Sequence, residues 1–348
     1  MEVYALSSSW ELVTANVPYL NLQWNRKYYE AGDWQMQLPA DAYDPSWHYV
    51  ISNDRDEVGL VQKFEYDNSD GSRLVTVSGF FAEKVLDDIV CSPRFVTDKA
   101  HTETAIQALV EKMQLKAKKN VFPFWNSTPL GDRTQCDFIG DKLGTKVFGI
   151  LETRELSYRV RMYKPTIRRS ALMMEVWQGV DRTVGQTANA RVLFSTSFGN
   201  VSGETVSVDD SAFANVCIVT AEDEALTFEV DRSGGGERFE TFLDKSAEKP
   251  DDGQSEADFK SALEQEALER LQGCAEAVDI TIDTLGDSGY RTDYDLGDLV
   301  TVELPDVGLS LDTRIVEVAE VFKAGGHNVT LGFGNKRISN IERAVQHL

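Results

Sequence analysis

The sequence is poor in cysteine and histidine, and the few residues of each kind lie far apart. No Cys-x-x-Cys pair is present among Cys91, Cys136, Cys217 and Cys274. Such spacing is typical of reduced, mostly buried thiols in a protein assembled in the cytosol. The four histidines form no His-Glu-x-x-His motif, and there is no Gly-x-Ser-x-Gly motif. These absences argue against a zinc hydrolase and against a serine hydrolase.

Long apolar runs and an export signal are also lacking. No stretch approaches the roughly 18 consecutive apolar residues that a transmembrane helix needs. The chain opens with Met1-Glu2-Val3-Tyr4, without a basic region or a long apolar run. We therefore expect neither a membrane-spanning segment nor a secretory leader.

Positive charge is scarce relative to negative charge. The 348 residues include 35 Lys and Arg against 57 Asp and Glu, which gives a formal net charge of −22. This balance argues against a protein that grips nucleic acid or an anionic membrane. It fits plain solubility, and it also fits a protein that lets DNA pass without holding it. The one basic stretch, residues 154–169, is interpreted as a solvated face or a subunit contact.

Two segments have a passing likeness to ligand-binding loops. The glycine run at 233–236 lacks the Gly-Lys-Ser/Thr ending of a phosphate-binding loop, so we predict a hairpin turn between strands at 225–231 and 237–243. Residues 293–298 resemble a calcium loop, but Gly297 stands where a third acidic ligand belongs and no bidentate Glu follows at the required distance. We predict no catalytic, cofactor-binding or metal-binding residue.

The sequence does not exclude glycoside hydrolysis or sugar binding. The 57 acidic residues guarantee many accidental carboxylate pairs, and nothing singles one out. The six tryptophans could line a sugar groove. Trp24 and Trp34, however, occupy the inward positions of alternating strands, which favours a place in the core.

A short motif occurs twice in the chain, more than two hundred residues apart. Tyr29-Glu30-Ala31-Gly32-Asp33 precedes the alternating segment 34–39, and Tyr294-Asp295-Leu296-Gly297-Asp298 precedes 299–305. Each copy reads as an aromatic residue, an acid, a Gly-Asp turn, a strand and a Leu-Pro stop. We predict one small β module used twice, with Gly32, Asp33, Gly297 and Asp298 as structural turn residues rather than a catalytic pair. Chance is the alternative, because Gly-Asp turns before strands are common.

Periodicity divides the chain into four parts. Residues 1–95 alternate with period two and are predicted to form a first β-barrel domain. Residues 96–170 contain two predicted helices, at 101–118 and 145–154, in an α+β domain. Residues 171–250 are β-rich and complete either the first barrel or the middle domain, and 244–255 reads as a linker. Residues 251–348 form a second β-barrel domain after a capped helix from Ser255, with a short helix from Ile338.

The predicted fold class is therefore α+β and β-rich, with two similar small β-barrel (tube-type) domains flanking a middle α+β region. Ordered blocks across nearly the whole chain resemble siphophage tail-tip hub proteins of the Tal type. These blocks are residues 22–33 (LQWNRKYYEAGD), 79–88 (GFFAEKVLDD), 175–183 (EVWQGVDRT), 192–195 with 198–200 (VLFS, FGN), 296–302 (LGDLVTV), 314–318 (RIVEV) and 331–334 (LGFG).

The resemblance implies a structural tail protein and no enzyme or cofactor. Such proteins are homotrimeric hubs, similar to the central baseplate protein of contractile phages. Two barrels from each subunit make a pseudo-sixfold ring that joins the tail tube to the tip and lines the DNA channel. The implied partners are the distal tail protein or tail tube ring, the tape-measure protein, and tip or receptor-binding proteins. The implied location is the virion tail tip of a phage or prophage, after assembly in the bacterial host cytoplasm.

Two other readings remain. Some relatives carry peptidoglycan hydrolase or receptor-binding activity in a C-terminal extension, so a peptidoglycan hydrolase or carbohydrate-binding tail-tip protein is the alternative function. A hub of a phage-derived delivery device would have the same sequence features as a phage hub.

Overall fold

The N-terminal part of the computed structural model is a pair of β-sheets around a core. The structure describes residues 1–69, 71–119, 122–124, 129–166, 169–209, 211–250, 253–274, 277–284 and 289–334. The first strands are β1 (Val3–Leu6), β2 (Leu12–Thr14), β3 (Asn21–Lys27), β4 (Asp33–Pro39), β5 (Tyr49–Ser52), β6 (Gly59–Leu60), β7 (Lys63–Asp67) and β8 (Leu74–Phe80).

These strands pair as β2-β1-β5-β6 and as β3-β4-β8-β7. Alternation along β3 and β4 turns Leu22, Trp24, Trp34 and Met36 inward, and all four are fully buried. The prediction that Trp24 and Trp34 are core residues is confirmed.

The middle part is an α+β region with short two-stranded sheets. Its elements are β9 (Val90–Val96), β10 (Ala100–His101), α1 (Thr102–Lys116), β11 (Arg133–Thr134), β12 (Asp137–Lys142), α2 (Leu143–Glu152), β13 (Ser157–Thr166) and β14 (Arg169–Trp177). The apolar face predicted for the first helix is buried, because Ile106, Leu109, Val110 and Met113 pack into one core with α2 and β13. The prediction of both helices is confirmed, with ends shifted by one or two residues.

The C-terminal part begins at β15 (Leu193–Ser195) and returns to β structure. It continues with β16 (Val201–Asp209), β17 (Val216–Ala221), β18 (Leu226–Asp231), β19 (Glu240–Lys245), α3 (Glu256–Gly273), β20 (Ala277–Thr284), β21 (Leu299–Leu304), β22 (Leu309–Lys323) and β23 (Gly326–Phe333). The Ser255 hydroxyl accepts a hydrogen bond from the Asp258 amide at the start of α3, which confirms the predicted cap. The helix expected from Ile338 lies outside the described residues.

A single sheet path joins the two ends of the chain. β22 pairs antiparallel with β3, with Val318 opposite Arg26, so the strand order is β16-β20-β23-β22-β3-β4-β8-β7. Four strands come from the C-terminal part and four from the N-terminal part. A separate core lies beneath each half: one includes Trp24 and Trp34, and the other includes Val300 and Leu331.

The β-rich fold is confirmed, but the described residues contain no closed barrel. The sheet path stops at β7 on one side and at β16 on the other, so each core lies between open sheets. Closure would need hydrogen bonds that the described strands of one chain do not make.

The glycine run at 233–236 is not the tip of a hairpin. β18 pairs antiparallel with β17 and β19 pairs parallel with it, so β17 lies between the two strands predicted to be partners. The run therefore belongs to a crossover connection. α3 covers one face of this three-stranded sheet, where Phe259 and Leu263 meet Cys217 and Val219.

Candidate assembly interface

The sheet path has two edge strands within the described residues, β7 and β16. All five residues of β7 are exposed, and this strand pairs with β8 on one side alone within the described residues. Its apolar side chains Phe64 and Tyr66 are more than half exposed. At the opposite edge β16 pairs with β20 alone among the described strands. Unpaired strand edges are templates for pairing with another chain.

One face of the sheet path is mainly polar, although Leu74, Phe80 and Val321 also lie on it. The register places Gln23, Gln35 and Ser78 side by side on this face, opposite the face that carries Trp24 and Trp34. Among the side chains that the structure describes, the charged ones on this face are three lysines and six carboxylates, namely Lys27, Lys63, Lys323, Asp33, Glu65, Asp67, Asp279, Asp283 and Glu317. The face is thus hydrophilic and moderately acidic.

Where β3 meets β22, a buried ionic cluster joins the two halves. The Arg26 guanidinium lies 2.6 Å from Glu57 Oε1 and 2.5 Å from Asp295 Oδ1, and it donates to the Tyr290 hydroxyl at 2.8 Å. Arg291 also contacts Glu57, at 3.0 Å. Burial alone would raise the pKa of Glu57, but the two guanidinium groups lower it to about 2. Removing one member would leave a buried charge without its counter-ion.

A small cavity adjoins this cluster. It has a volume of about 70 Å³ and is lined by Gly32, Glu57, Glu83 and Leu296 among others. Burial raises the pKa of Glu83 to about 7, although its carboxylate accepts a hydrogen bond from the Val160 amide at 2.8 Å. The lining includes Arg26, Arg159, Arg161 and Arg291 as well as Asp56, Glu57, Glu83 and Asp295, so the charges around the cavity largely neutralise one another.

The second Gly-Asp turn is buried and tightly packed. Gly297 has φ of +84°, and a Cβ there would lie 2.5 Å from the Tyr28 ring and 2.8 Å from that of Trp177. The Asp298 carboxylate accepts hydrogen bonds from the Val180 amide at 2.8 Å and from Arg182 Nε at 2.7 Å. It also accepts one from the Asp295 amide at 3.0 Å. Asp298 therefore ties a distant loop to the start of β21.

The first Gly-Asp turn leads into β4, and its Asp33 is paired with β3 in the β3–β4 hairpin. Asp33 pairs with Asn25, whose amide donates to its carboxylate at 2.8 Å, and Lys27 Nζ lies 3.3 Å from the same carboxylate. β4 forms its hairpin with the preceding strand β3, whereas β21 forms one with the following strand β22. The two motifs start strands with different pairing, so the pairing gives no support to the predicted duplication.

Other sequence candidates are engaged in structural contacts. Asp295 of the calcium-like segment contacts Arg26, and Asp298 contacts Arg182. Arg159 and Arg161 of the basic stretch both pair with Glu175. The four cysteines form no disulfide, and three of them are buried.

Two features are absent from the described ranges. They hold no group of three His, Cys, Asp or Glu side chains arranged for a metal ion. None of the helices in those ranges combines the length and the apolar composition needed to cross a bilayer.

The ionic cluster itself was missed by sequence reasoning. Arg26 occupies an inward position of β3, in line with Leu22 and Trp24, and is buried. A charged residue in an apolar alternation was the available signal, because such a residue must find a partner. Glu57 and Arg291 carry no comparable local signal.

Three solved structures with a similar fold are tail proteins. A tail protein from Neisseria meningitidis MC58 is 13% identical with a TM-score of 0.59, and the match covers 96% of each chain. The 43 kDa tail protein of prophage MuSo2 from Shewanella oneidensis is 12% identical with a TM-score of 0.60, over 96% of this chain and 98% of that one. Prophage tail protein gp18 from Listeria monocytogenes EGD-e is 9% identical with a TM-score of 0.57, over 100% and 98%.

No curated protein sequence matches the chain. Residues 1–335 match the family described as Siphovirus ReqiPepy6 Gp37-like protein. This match confirms the resemblance to siphophage tail proteins that the ordered sequence blocks indicate. The chain therefore belongs to the siphovirus ReqiPepy6 Gp37-like family.

Proposed function

We propose that the chain is a structural subunit of the tail-tip or baseplate hub, and that three copies close into a ring between the tail tube and the tip. The observation that carries this proposal is the sheet path made of four N-terminal and four C-terminal strands, open at both edges. Three such chains would supply six four-stranded groups, which fits pseudo-sixfold symmetry. Each copy then supplies one edge strand to the contact with each of its two neighbours.

The ring would satisfy the two open edges. In a closed cyclic assembly, β7 of one copy lies beside β16 of the next, so every edge finds a partner. The exposed Phe64 and Tyr66 of β7 would be covered in the same step. Barrel closure is then a property of the assembly, which accounts for open sheets in one chain.

The polar face is the proposed lining of the DNA channel. Its amide and hydroxyl side chains hydrate readily, and its carboxylates outnumber its lysines. Tight DNA binding requires clustered Lys and Arg that displace counter-ions from phosphates. A lining of this kind lets DNA pass without holding it.

The remaining proposals follow from the family. The hub has no enzymatic role, and it contacts the distal tail protein or tail tube ring, the tape-measure protein and tip or receptor-binding proteins. It assembles in the host cytoplasm and resides in the virion tail tip. The proposed division into domains stays at 1–95, 96–170, 171–250 and 251–348. Within the third part, β15 and β16 pair with strands of the fourth.

Mass photometry of the full chain tests the ring. We expect a trimer that dissociates on dilution, and we expect Tyr66→Lys on β7 to weaken association at least about tenfold, because a lysine on an edge strand opposes strand addition. Phe242→Lys is the matched control, since Tyr66 and Phe242 are both 51% exposed. A chain that stays monomeric at every concentration contradicts the proposal, as does a trimer that both variants leave unchanged.

Zymography on peptidoglycan tests the non-enzymatic role. The purified chain is expected to give no cleared zone beside a lysozyme control. Clear lysis would replace the structural role by the hydrolase alternative.

A further inference from the structure

A pocket lined by three arginines lies between the middle part of the chain and the three-stranded sheet. It has a volume of about 460 Å³, within the range of roughly 300–1,000 Å³ that small-molecule sites occupy. Its polar side chains are three guanidinium groups, one carboxylate, one amide and one hydroxyl, namely Arg133, Arg154, Arg232, Asp132, Gln178 and Thr153. All of its lining residues belong to the described ranges. In a chain with a net charge of −22, this pocket has the opposite sign of charge.

The three arginines come from separate parts of the fold. Arg133 lies in the short strand β11, Arg154 follows the end of α2, and Arg232 follows the end of β18. The Arg232 amide donates to the Asn215 carbonyl at 2.8 Å, which fixes the start of the glycine-rich crossover. Guanidinium groups that line one pocket repel one another, and an anion bound between them would remove this repulsion.

Arg154 is held in place by neutral acceptors. Its guanidinium donates to the Ile150 carbonyl at 3.0 Å, to the Thr153 hydroxyl at 2.9 Å and to the Gln265 side-chain oxygen at 2.8 Å. A guanidinium fixed in this way is preorganised, so it loses little further side-chain freedom when it binds an anion.

The charge of Arg154 is compensated less than that of Arg26 or Arg314. At Arg26 and Arg314 the effect of burial is outweighed by neighbouring carboxylates and tyrosines, so the pKa is raised. At Arg154 burial is the stronger influence and lowers the pKa, although the charges of Glu269 and Asp132 act against it. A further anion in the pocket would offset the cost of burying this charged guanidinium.

Arg133 and Arg232 supply positive charge that no carboxylate of the described residues neutralises. Both side chains are exposed, neither forms an ion pair there, and Arg133 donates to the Lys99 carbonyl at 3.3 Å. Arg232 also borders a second groove of about 700 Å³ that holds three carboxylates. It forms an ion pair with none of them in the described structure, where Glu155 pairs instead with Arg314.

The charge of the lining matches a dianion. Three guanidiniums against one carboxylate leave two positive charges in excess. A phosphate group carries a charge of about −1.5 to −2 at pH 7, and its oxygens accept paired hydrogen bonds from guanidiniums. We propose that this pocket binds a phosphate group, with Arg133, Arg154 and Arg232 as its ligands. The site goes beyond the proposed ring, and it is complete in a single chain whether or not trimers form.

Isothermal titration calorimetry of the full chain with inorganic phosphate, at low ionic strength, tests the site. We expect one site per chain with a dissociation constant below about 1 mM. Arg133→Gln and Arg232→Gln should each weaken binding at least about tenfold, because each removes a charge-assisted contact, and their exposed positions leave the fold intact. Arg191→Gln is the matched control and should bind as the wild type does, since Arg191 is also exposed and lines none of the cavities described above.

A second kind of variant should change the affinity in the opposite direction. Asp132→Asn removes the one carboxylate of the lining and is expected to strengthen phosphate binding about threefold, because repulsion between like charges is lost. A merely structural role of Asp132 would not produce a gain in affinity. Circular dichroism and the unfolding temperature establish that each variant is folded.

Glycerol 3-phosphate identifies the source of the phosphate group. Tighter binding than that of inorganic phosphate assigns the site to a phosphorylated polyol, whose hydroxyls would contact Gln178 and Asp132. Equal or weaker binding assigns the site to free phosphate. Both outcomes support a phosphate site.

Three outcomes would overturn the inference. One is a dissociation constant for inorganic phosphate above about 1 mM in the wild type. Another is phosphate binding that Arg133→Gln and Arg232→Gln leave unchanged. The third is a tetra-aspartate peptide that binds where phosphate does not, which would assign the pocket to an acidic protein segment. None of these outcomes bears on the trimer, which mass photometry measures separately.

Discussion

The two Gly-Asp turns have the same two residues and different surroundings. Asp298 is 4% exposed and holds three hydrogen bonds, to residues 180, 182 and 295. The side chain of Asp33 is 32% exposed and contacts Asn25 and Lys27 of the neighbouring strand. The Asp33 carboxylate contacts residues of its own hairpin, whereas the Asp298 carboxylate joins segments more than one hundred residues apart.

A distant loop causes this difference. Residues 178–182 cross the second turn so closely that a Cβ on Gly179 would lie 1.8 Å from the Gly297 carbonyl oxygen. The first turn packs against Phe81, whose amide donates to the Gly32 carbonyl at 2.8 Å and whose ring would lie 2.6 Å from a Cβ on Gly32. A short motif therefore fixes the backbone turn, and the long-range packing decides what its carboxylate does.

The largest difference in stability between the two turns is expected when the aspartate of each is replaced by alanine. Asp298→Ala should have the larger effect. The substitution leaves the amides of Val180 and Asp295 and the guanidinium of Arg182 without their acceptor. Loss of these three hydrogen bonds to the buried Asp298 carboxylate predicts a decrease in the free energy of unfolding of about 3–5 kcal/mol. Urea denaturation followed by circular dichroism measures it. Asp298→Asn is the conservative control and should retain part of the stability, and a loss below about 1 kcal/mol for Asp298→Ala would contradict the buried role.

The two glycines should differ less than the two aspartates. A Cβ at Gly32 would lie 2.4 Å from the Asn25 carbonyl oxygen, and a Cβ at Gly297 would lie 2.5 Å from the Tyr28 ring. Both alanine variants are therefore expected to lose about 2–4 kcal/mol. Gly297→Ala should lose about 1 kcal/mol more, because φ at Gly297 is +84° and a left-handed backbone disfavours a side chain.

Urea denaturation of the two glycine variants side by side measures that difference. If Gly32→Ala is the more destabilising of the two, the strain at Gly297 is not the deciding factor.

Local sequence patterns predicted the individual helices and strands better than they predicted the long-range contacts between them. α1 was predicted because Ile106, Leu109, Val110 and Met113 repeat at helical spacing within one segment. The Gly-rich crossover was mistaken for a hairpin because β17 enters between β18 and β19 from another part of the chain. The contacts of Arg26 with Glu57 and Asp295 depend on the pairing of β3 with β22, which no local pattern specifies.

Both turns border the small cavity beside the Arg26 cluster. Glu83, which also lines this cavity, is expected to make the stability of the protein depend on pH. Gly32 and Leu296 line this cavity together with Glu83, whose pKa burial raises from 4.5 to about 7. A carboxyl that binds its proton more tightly when folded stabilises the fold fully below pH 4.5. That contribution is lost as pH rises toward 7, a total of about 3 kcal/mol.

The Glu83→Gln variant isolates this contribution. The difference in unfolding free energy between wild type and variant should fall from pH 4.5 to pH 8, as measured by urea denaturation at several pH values. A difference that does not change with pH would show that Glu83 keeps its ordinary titration. Glu57 has the opposite sign, because its contribution is present above pH 4.5 and is lost as pH falls toward 2.

The smallest effect is expected at Asp33. Its ion pair with Lys27 lies on the polar face of the sheet and is partly exposed to solvent, so Asp33→Ala should change the free energy of unfolding by less than about 1 kcal/mol. Urea denaturation beside Asp298→Ala gives the comparison directly. If the two substitutions cost the same, the Gly-Asp motif itself sets the energy, and the distant loop that covers Asp298 does not explain the difference between the turns. A ratio of three or more assigns the difference to that loop, because the two motifs share their residues and differ in what packs against them.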